Sequence, residues 1–146
     1  MGSRHFRAGV VTVVRRTDGH VLAFERADTP GSWQLPQGGL EKAEAPLDAA
    51  WRELKEETGL GPDEVELVGE HPDWILYQWP ADVVGPGARL GQVHRWFFFR
   101  PHSDDVEPQP DGREFRAWQW ADPAWLVDHV VPFRQPGYRQ IFQRPM

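Results

Sequence analysis

The feature that most constrains the fold is a stretch whose apolar residues recur with the period of an α-helix. Within residues 46–58, the residues that share one helical face are Leu47, Ala50, Trp51, Leu54 and Thr58 through its methyl group. Pro46 suits the first helical turn, where its missing N–H has no partner to lose, and Gly59 suits the C-terminal stop. The sequence therefore predicts a helix from Pro46 to Thr58, and the fold must supply an apolar surface that covers it.

Apolar runs bounded by glycine and proline predict strands on both sides of this helix. Two of them, 8–14 and 20–24, precede it and flank a hairpin-type turn at Thr17-Asp18-Gly19. Residues 26–40 are rich in glycine and proline and are expected to form a structured loop. After the helix, strands are expected at 65–69, 74–79, 93–100 and 115–120, and two shorter helices at 123–129 and 133–142.

This order of elements predicts an α/β fold. A helix inserted early among strands, with further helices at the end, is typical of helices that cover both sides of a mixed sheet. The expected architecture is therefore an α/β/α sandwich. A chain of 146 residues is long enough to bury one hydrophobic core, and a second domain is not expected at this length. Residues 1–146 are therefore expected to form a single domain.

Composition excludes several functional classes. The chain has no cysteine, which rules out a disulfide scaffold, a thiol nucleophile and a cysteine-bound zinc ion, and its histidines lack the spacing of zinc ligands. The formal charge of -6 argues against extended nucleic-acid binding. No apolar run reaches the roughly 18 residues of a membrane span, and the N-terminus lacks a signal-peptide core. We therefore expect a soluble, cytoplasmic protein with no membrane partner.

Three glutamates lie on one flank of the predicted helix. At about 100° per residue, Glu53, Glu56 and Glu57 fall within an arc of about 100° beside the apolar face. Such like charges repel one another, which favours a bound cation, and Mg²⁺ prefers carboxylate oxygens together with substrate phosphates. Mn²⁺ is a plausible substitute. A solvated acidic face is the alternative interpretation. The adjacent Gln37-Gly38-Gly39 favours the metal site, because glycines let backbone carbonyls approach an ion closely.

The spacing of these residues matches a known motif. Gly38 is followed after five residues by Glu44, and after seven more by Arg52-Glu53-Leu54-Lys55-Glu56-Glu57-Thr58-Gly59-Leu60. This pattern resembles the Nudix box across its whole length. The resemblance implies a Nudix α/β/α sandwich with a loop-helix-loop catalytic motif, and hydrolysis of a nucleoside diphosphate linked to another moiety. The metal ligands that it implies are Glu53, Glu56, Glu57 and the carbonyl of Gly38, with structural roles for Glu44 and Arg52.

Other segments resemble the branch of this family that contains RNA 5′ pyrophosphohydrolases and diadenosine polyphosphate hydrolases. They are residues 32–39, 74–80, 91–97, 114–120 and 130–134. In this branch, Glu114 would add an acidic group to the metal site. The aromatic positions that sandwich a base match Tyr77 and Phe133, for which core packing is the alternative. The positions that contact phosphate or substrate match Arg7, Arg26 and Arg134, for which a solvated side chain is the alternative.

Two positions depart from the pattern of the branch. Ala43 stands before Glu44 where the branch usually has glycine, and this difference bears on the geometry of the loop. His94 stands where the branch often has glutamine, and this difference bears on contacts to the edge of the substrate. Neither departure removes an implied metal ligand.

The function implied by the resemblance is Mg²⁺-dependent cleavage of a phosphoanhydride bond in a nucleotide. Glu53 is the expected general base, and Glu56 is the alternative. The expected substrates are dinucleoside polyphosphates or the triphosphorylated 5′ end of RNA, and the negative charge of the chain favours the small dinucleotide. Two alternatives stay open: a pyrophosphatase that removes oxidised nucleotides, and a non-catalytic Nudix module that senses nucleotides.

Overall fold

The computed structural model describes residues 5–78 and 89–142. Eight strands are present: β1 (His5–Val14), β2 (Val21–Arg26), β3 (Trp33–Gln34), β4 (Gln37–Gly39), β5 (Val65–Glu70), β6 (Ile75–Gln78), β7 (Arg89–Pro101) and β8 (Phe115–Ala121). Three α-helices accompany them: α1 (Pro46–Thr58), α2 (Pro123–His129) and α3 (Gln135–Phe142), the last preceded by a 3-10 turn at Pro132–Arg134. No helix in these two ranges is both long enough and apolar enough to cross a membrane.

The strands form two sheets. In the larger one the order is β4-β1-β7-β5, and β6 also pairs with β7. The pairing of β1 with β7 is parallel and the other pairings are antiparallel, so this sheet is mixed, as predicted. The smaller sheet has the antiparallel order β3-β2-β8.

The turn at residues 17–19 does not close a regular hairpin. It joins β1 of one sheet to β2 of the other, and only the isolated bridge between Arg15 and Val21 links their ends. The reason is that both edges of β1 are already occupied, by β4 and by β7. The expected two strands are thus present, but their partners lie elsewhere in the chain.

Strand β1 is buried on both faces. Val11 and Val13 belong to a core that includes Leu126 and Tyr138 of α2 and α3. Alternate residues of the strand, Val10 and Val14, belong to a second core on the side of α1, which contributes Ala49, Ala50 and Leu54. Full burial of an aliphatic side chain of this size contributes about 1.5–3 kcal/mol to stability. Helices therefore cover both sides of the sheet, which confirms the α/β/α sandwich.

The expected helix bounds hold for α1 and α2, whereas the last helix begins later. An α-helix starting near Pro132 would need the amide of residue 136 to donate to the carbonyl of residue 132, and Pro136 has no N–H. Instead the amide of Gln135 donates to Pro132, which gives a 3-10 turn before α3. Strands β3 and β4 lie in a region that was expected to be loop. Trp79, at the end of the expected strand 74–79, lies outside the described residues.

Tyr138 anchors the segment between β3 and β4 to α3. Its hydroxyl accepts a hydrogen bond from the backbone N–H of Leu35 at 3.0 Å, and both residues are fully buried. We expect Tyr138→Phe to lower the free energy of unfolding by about 1–3 kcal/mol, because it leaves a buried N–H without its acceptor. Urea denaturation measures this loss. Tyr77→Phe is the matched control, since no described backbone N–H donates to Tyr77, and equal losses in both variants would argue against the proposed contribution.

Candidate active site

The second half of α1 lies against the backbone of β4. Glu53 and Glu57 are one helical turn apart and are 9% and 6% exposed. The carboxylate of Glu53 packs so closely on the α-carbon of Gly38 that a side chain there would overlap it. The carboxylate of Glu57 accepts a hydrogen bond from the backbone N–H of Gln37 at 3.1 Å. The structure thus brings together three of the residues that the sequence assigns to a metal site.

Arg52 connects the loop after β4 with α1. Its guanidinium donates to both carboxylate oxygens of Glu44 at 2.8 Å, and to the carbonyl oxygen of Gly39 at 3.1 Å. The same group donates to Glu53 at 2.7 Å, with a longer contact of 3.4 Å to Glu56. Hydrogen bonds from Arg52 lower the pKa of Glu44 to about 2, so this carboxylate is ionised at neutral pH. The ion pair therefore fixes the loop to the helix.

Ala43 has a left-handed backbone conformation in this loop, with a φ of 62°. A residue with a Cβ atom is less stable in this region by about 1–2 kcal/mol. The turn is held by two hydrogen bonds of 3.0 Å, from the N–H of Glu44 to the carbonyl of Glu41 and from the N–H of Glu41 to the carboxylate of Glu44. The loop thus keeps its shape although alanine replaces the glycine that is usual in the branch.

The two buried carboxyl groups on α1 are costly to ionise in the absence of a cation. Burial, followed by repulsion from Glu53 and Glu114, raises the pKa of Glu57 to about 9. Burial also raises the pKa of Glu53, although its hydrogen bond to Arg52 opposes the change. A divalent cation would lower both pKa values, because it stabilises the charged form of each group. The charge of the site therefore fits a bound cation.

The carboxylates are not arranged as a pre-formed metal site. Across residues 5–78 and 89–142, no three acidic or histidine side chains converge as ligands. The side chain of Glu56 is 57% exposed, and one oxygen of Glu53 is engaged by Arg52. The carbonyl oxygen of Gly38 packs on the α-carbon of Gly9. Coordination of one ion by all of these groups would require the glutamate side chains to reorient.

Glu114 lies at the end of a loop that is tied to the C-terminus of α1. The backbone N–H groups of Gln109 and Asp111 donate to the carbonyls of Thr58 and Glu57 at 2.7 and 3.2 Å. The carboxylate of Asp111 accepts the backbone N–H groups of residues 113, 114 and 115 at 3.0, 2.9 and 3.3 Å. Sequence reasoning missed Asp111, although the turn-forming pair Asp111-Gly112 before a strand is the signal that could have indicated it.

Arg26 and Arg134 form a basic group in the same part of the molecule. Arg26 and Arg134 both interact electrostatically with Glu114. Arg134 is 7% exposed, and burial lowers its pKa. Its guanidinium donates to the amide oxygens of Gln34 at 3.1 Å and Gln92 at 3.3 Å. Neither glutamine was identified from the sequence, because an uncharged side chain in a strand carries no distinctive pattern. Glu114 therefore interacts electrostatically with both the acidic and the basic side chains.

The remaining expected substrate contacts differ in exposure. Tyr77 is 1% exposed and packs beneath Gly137 of α3, a position typical of a core aromatic. Phe133 is partly buried, and its ring centroid lies 5.1 Å from the guanidinium carbon of Arg134. Arg7 is exposed and lies against Gly39. Burial, followed by repulsion from Arg134 and Arg7, lowers the pKa of His94 to about 3, so this imidazole is neutral.

Comparison with known proteins identifies the family. The chain matches the NUDIX domain over residues 5–144. It is 36% identical over 146 residues to the RNA pyrophosphohydrolase of Cereibacter sphaeroides, covering 96% of this chain and 90% of the relative. It is 43% identical over 135 residues to that of Mesorhizobium japonicum, covering 84% and 77%. In fold it is similar to the dihydroneopterin triphosphate pyrophosphohydrolase of E. coli, with a TM-score of 0.69, 19% identity and coverage of 94% and 97%.

The family match spans most of the chain, and it includes the glycine-rich loop, the acidic helix and the Glu44–Arg52 ion pair described above. Members of this family generally use divalent cations. The chain belongs to the Nudix family and is a Nudix pyrophosphohydrolase.

Proposed function

We propose that the protein uses Mg²⁺ to hydrolyse a phosphoanhydride bond at the 5′-polyphosphorylated end of a nucleotide. The observation that carries this proposal is the buried carboxylate of Glu57, which is 6% exposed and lies close to the negative charges of Glu53 and Glu114. The groups proposed to hold the cation are Glu53, Glu56, Glu57, Glu114 and the carbonyl of Gly38. Oxygen ligands of this kind favour Mg²⁺, and Mn²⁺ would substitute.

The acidic side chains would also activate the nucleophile. When bound, the cation neutralises phosphate oxygens and increases the acidity of water. Glu53 is the proposed proton acceptor, because burial raises its pKa and makes the carboxylate a stronger base. Glu56 is the alternative acceptor, since it is exposed and touches the same guanidinium of Arg52.

The basic side chains would bind the phosphates and the base. Arg26 and Arg134 interact electrostatically with Glu114, a proposed metal ligand, so they would stabilise the negative charge that develops on the phosphates. Arg7 would add a further cation from its exposed position beside Gly39. Phe133 is the better placed of the two aromatic candidates for stacking on a base, because it is partly exposed, whereas Tyr77 is buried in the core.

Two substrates share the required polyphosphate end. The relatives at 36% and 43% identity are RNA pyrophosphohydrolases, which favours the triphosphorylated 5′ end of RNA. The formal charge of -6 favours a dinucleoside polyphosphate, because an acidic surface does not attract an extended RNA. Recognition would in either case be confined to the end of the substrate.

The proposal is tested by product analysis with and without Mg²⁺. Purified protein is incubated separately with a triphosphorylated oligonucleotide, with diadenosine tetraphosphate and with an oxidised nucleoside triphosphate. We expect cleavage of the first or the second, no reaction in chelator, and incorporation of ¹⁸O from labelled water at one phosphorus. Cleavage of the oxidised triphosphate alone would instead indicate a pyrophosphatase that removes oxidised nucleotides. Cleavage of none of the three substrates would contradict the proposed activity.

Removal of the charge of Glu57 is expected to abolish turnover without unfolding the protein. Glu57→Gln keeps the size of the side chain but loses an anionic ligand, so kcat should fall by several orders of magnitude. Circular dichroism should show an intact fold. The matched control is Glu66→Gln, which neutralises an exposed glutamate paired with Arg100. Near-normal kcat in Glu57→Gln would remove this residue from the metal site.

Glu57 is also expected to make the metal-free protein less stable as the pH rises. Its pKa is near 4.5 in the unfolded chain and about 9 in the folded protein. Between these values the folded protein holds a proton that the unfolded chain has released, so the free energy of unfolding decreases with increasing pH. Urea midpoints measured in chelator at several pH values test this. The slope should flatten in Glu57→Gln, and an unchanged slope would assign the effect to other groups.

A further inference from the structure

One amide oxygen is shared by the two arginines of the basic group. Gln34 lies in β3 and is 4% exposed. Its side-chain oxygen accepts from Arg134 at 3.1 Å and, over a longer distance of 3.4 Å, from Arg26. A carbonyl oxygen has two lone pairs, so it can hold both donors at once. Two side chains of the same charge are thereby kept close together by one neutral atom.

In the described residues, the guanidinium of Arg134 donates to amide oxygens rather than to carboxylates. No carboxylate lies within ion-pair distance of Arg134 in the described part of the chain, and its Nε atom is buried without a partner there. Arg26 does pair with a carboxylate, that of Asp28, but this residue is 65% exposed and lies on the solvent side. A buried cation with neutral acceptors is costly, which favours binding of an anion at this place.

We propose that Gln34 is a positioning residue that fixes Arg26 and Arg134 as a clamp for adjacent phosphates of the substrate. The inference rests on the proposed function, because the clamp acts on the polyphosphate that the activated water would attack. It also explains why a neutral amide stands between two arginines. A carboxylate would hold them equally well, but it would compete with the phosphates for the same donors.

Gln34→Glu separates positioning from packing. The variant keeps the acceptor and adds a negative charge, so we expect the fold to be retained and the melting temperature not to fall. KM for the triphosphorylated oligonucleotide should rise by about ten-fold or more, while kcat changes less. Calorimetry with inorganic tripolyphosphate, with and without Mg²⁺, should show a comparable loss of affinity. Because the new carboxylate also repels phosphates directly, a neutral variant is needed to test the positioning role by itself.

Gln119→Glu is the matched control, because it makes the same change in β8, opposite Ala23 of the same sheet. Its KM should stay within about two-fold of that of the unchanged protein. Gln34→Met removes the acceptor at similar size. This variant should also raise KM and weaken tripolyphosphate binding, because the arginines lose their shared partner, and it carries the test if Gln34→Glu fails to fold.

The outcomes distinguish this inference from the proposed function. If folded Gln34→Glu keeps both KM and tripolyphosphate affinity within about two-fold, Gln34 does not position the clamp. If the unchanged protein binds tripolyphosphate, and Gln34→Met weakens that binding, but no nucleotide is hydrolysed, then the proposed function fails and the clamp stands.

Discussion

The guanidinium of Arg52 joins three segments of the chain, and the acidic half of the site depends on these contacts. It binds the carboxylate of Glu44 in the loop, the carbonyl of Gly39 at the end of β4, and Glu53 on its own helix. One planar group with five donors can serve all three, whereas a lysine could not match the two oxygens of Glu44 in the same way. The close packing of Glu53 on Gly38 follows from this arrangement. It also helps to hold the loop in which Ala43 adopts a left-handed conformation.

Two groups of buried charge in the site lack a full set of oppositely charged partners. Glu53 and Glu57 are buried one turn apart on α1, and Arg134 is buried among amide oxygens. Burial of each set of charges lowers the stability of the protein relative to a neutral core of the same shape. Binding of a cation by the glutamates and of phosphates by the arginines would offset the cost of burying each set of charges. The same placement that lowers the stability of the empty protein therefore suits it to an anionic ligand that carries a metal ion.

The sequence predicted best what depends on a repeated local pattern. The bounds of α1 follow from its apolar face together with Pro46 and Gly59, and the metal-site candidates follow from the spacing of the acidic residues on that helix. The short strands β3 and β4 have too few residues to show alternation, so they were missed. Gln34 and Asp111 act through contacts made by the fold, which no spacing in the sequence reveals. The burial of Tyr77 likewise depends on Gly137, far away in the chain.

The parallel pairing of β1 with β7 sets the order in which the molecule can assemble. Residues 5–14 pair with residues 89–99, so about two thirds of the chain must be synthesised before its first strand gains this neighbour. Val11 and Val13 wait longer still, because the residues of α2 and α3 that cover them follow β7 in the chain. Contacts of such sequence separation slow folding and leave an apolar strand exposed to aggregation or to chaperones. The central strand of the domain is thus made early but buried late.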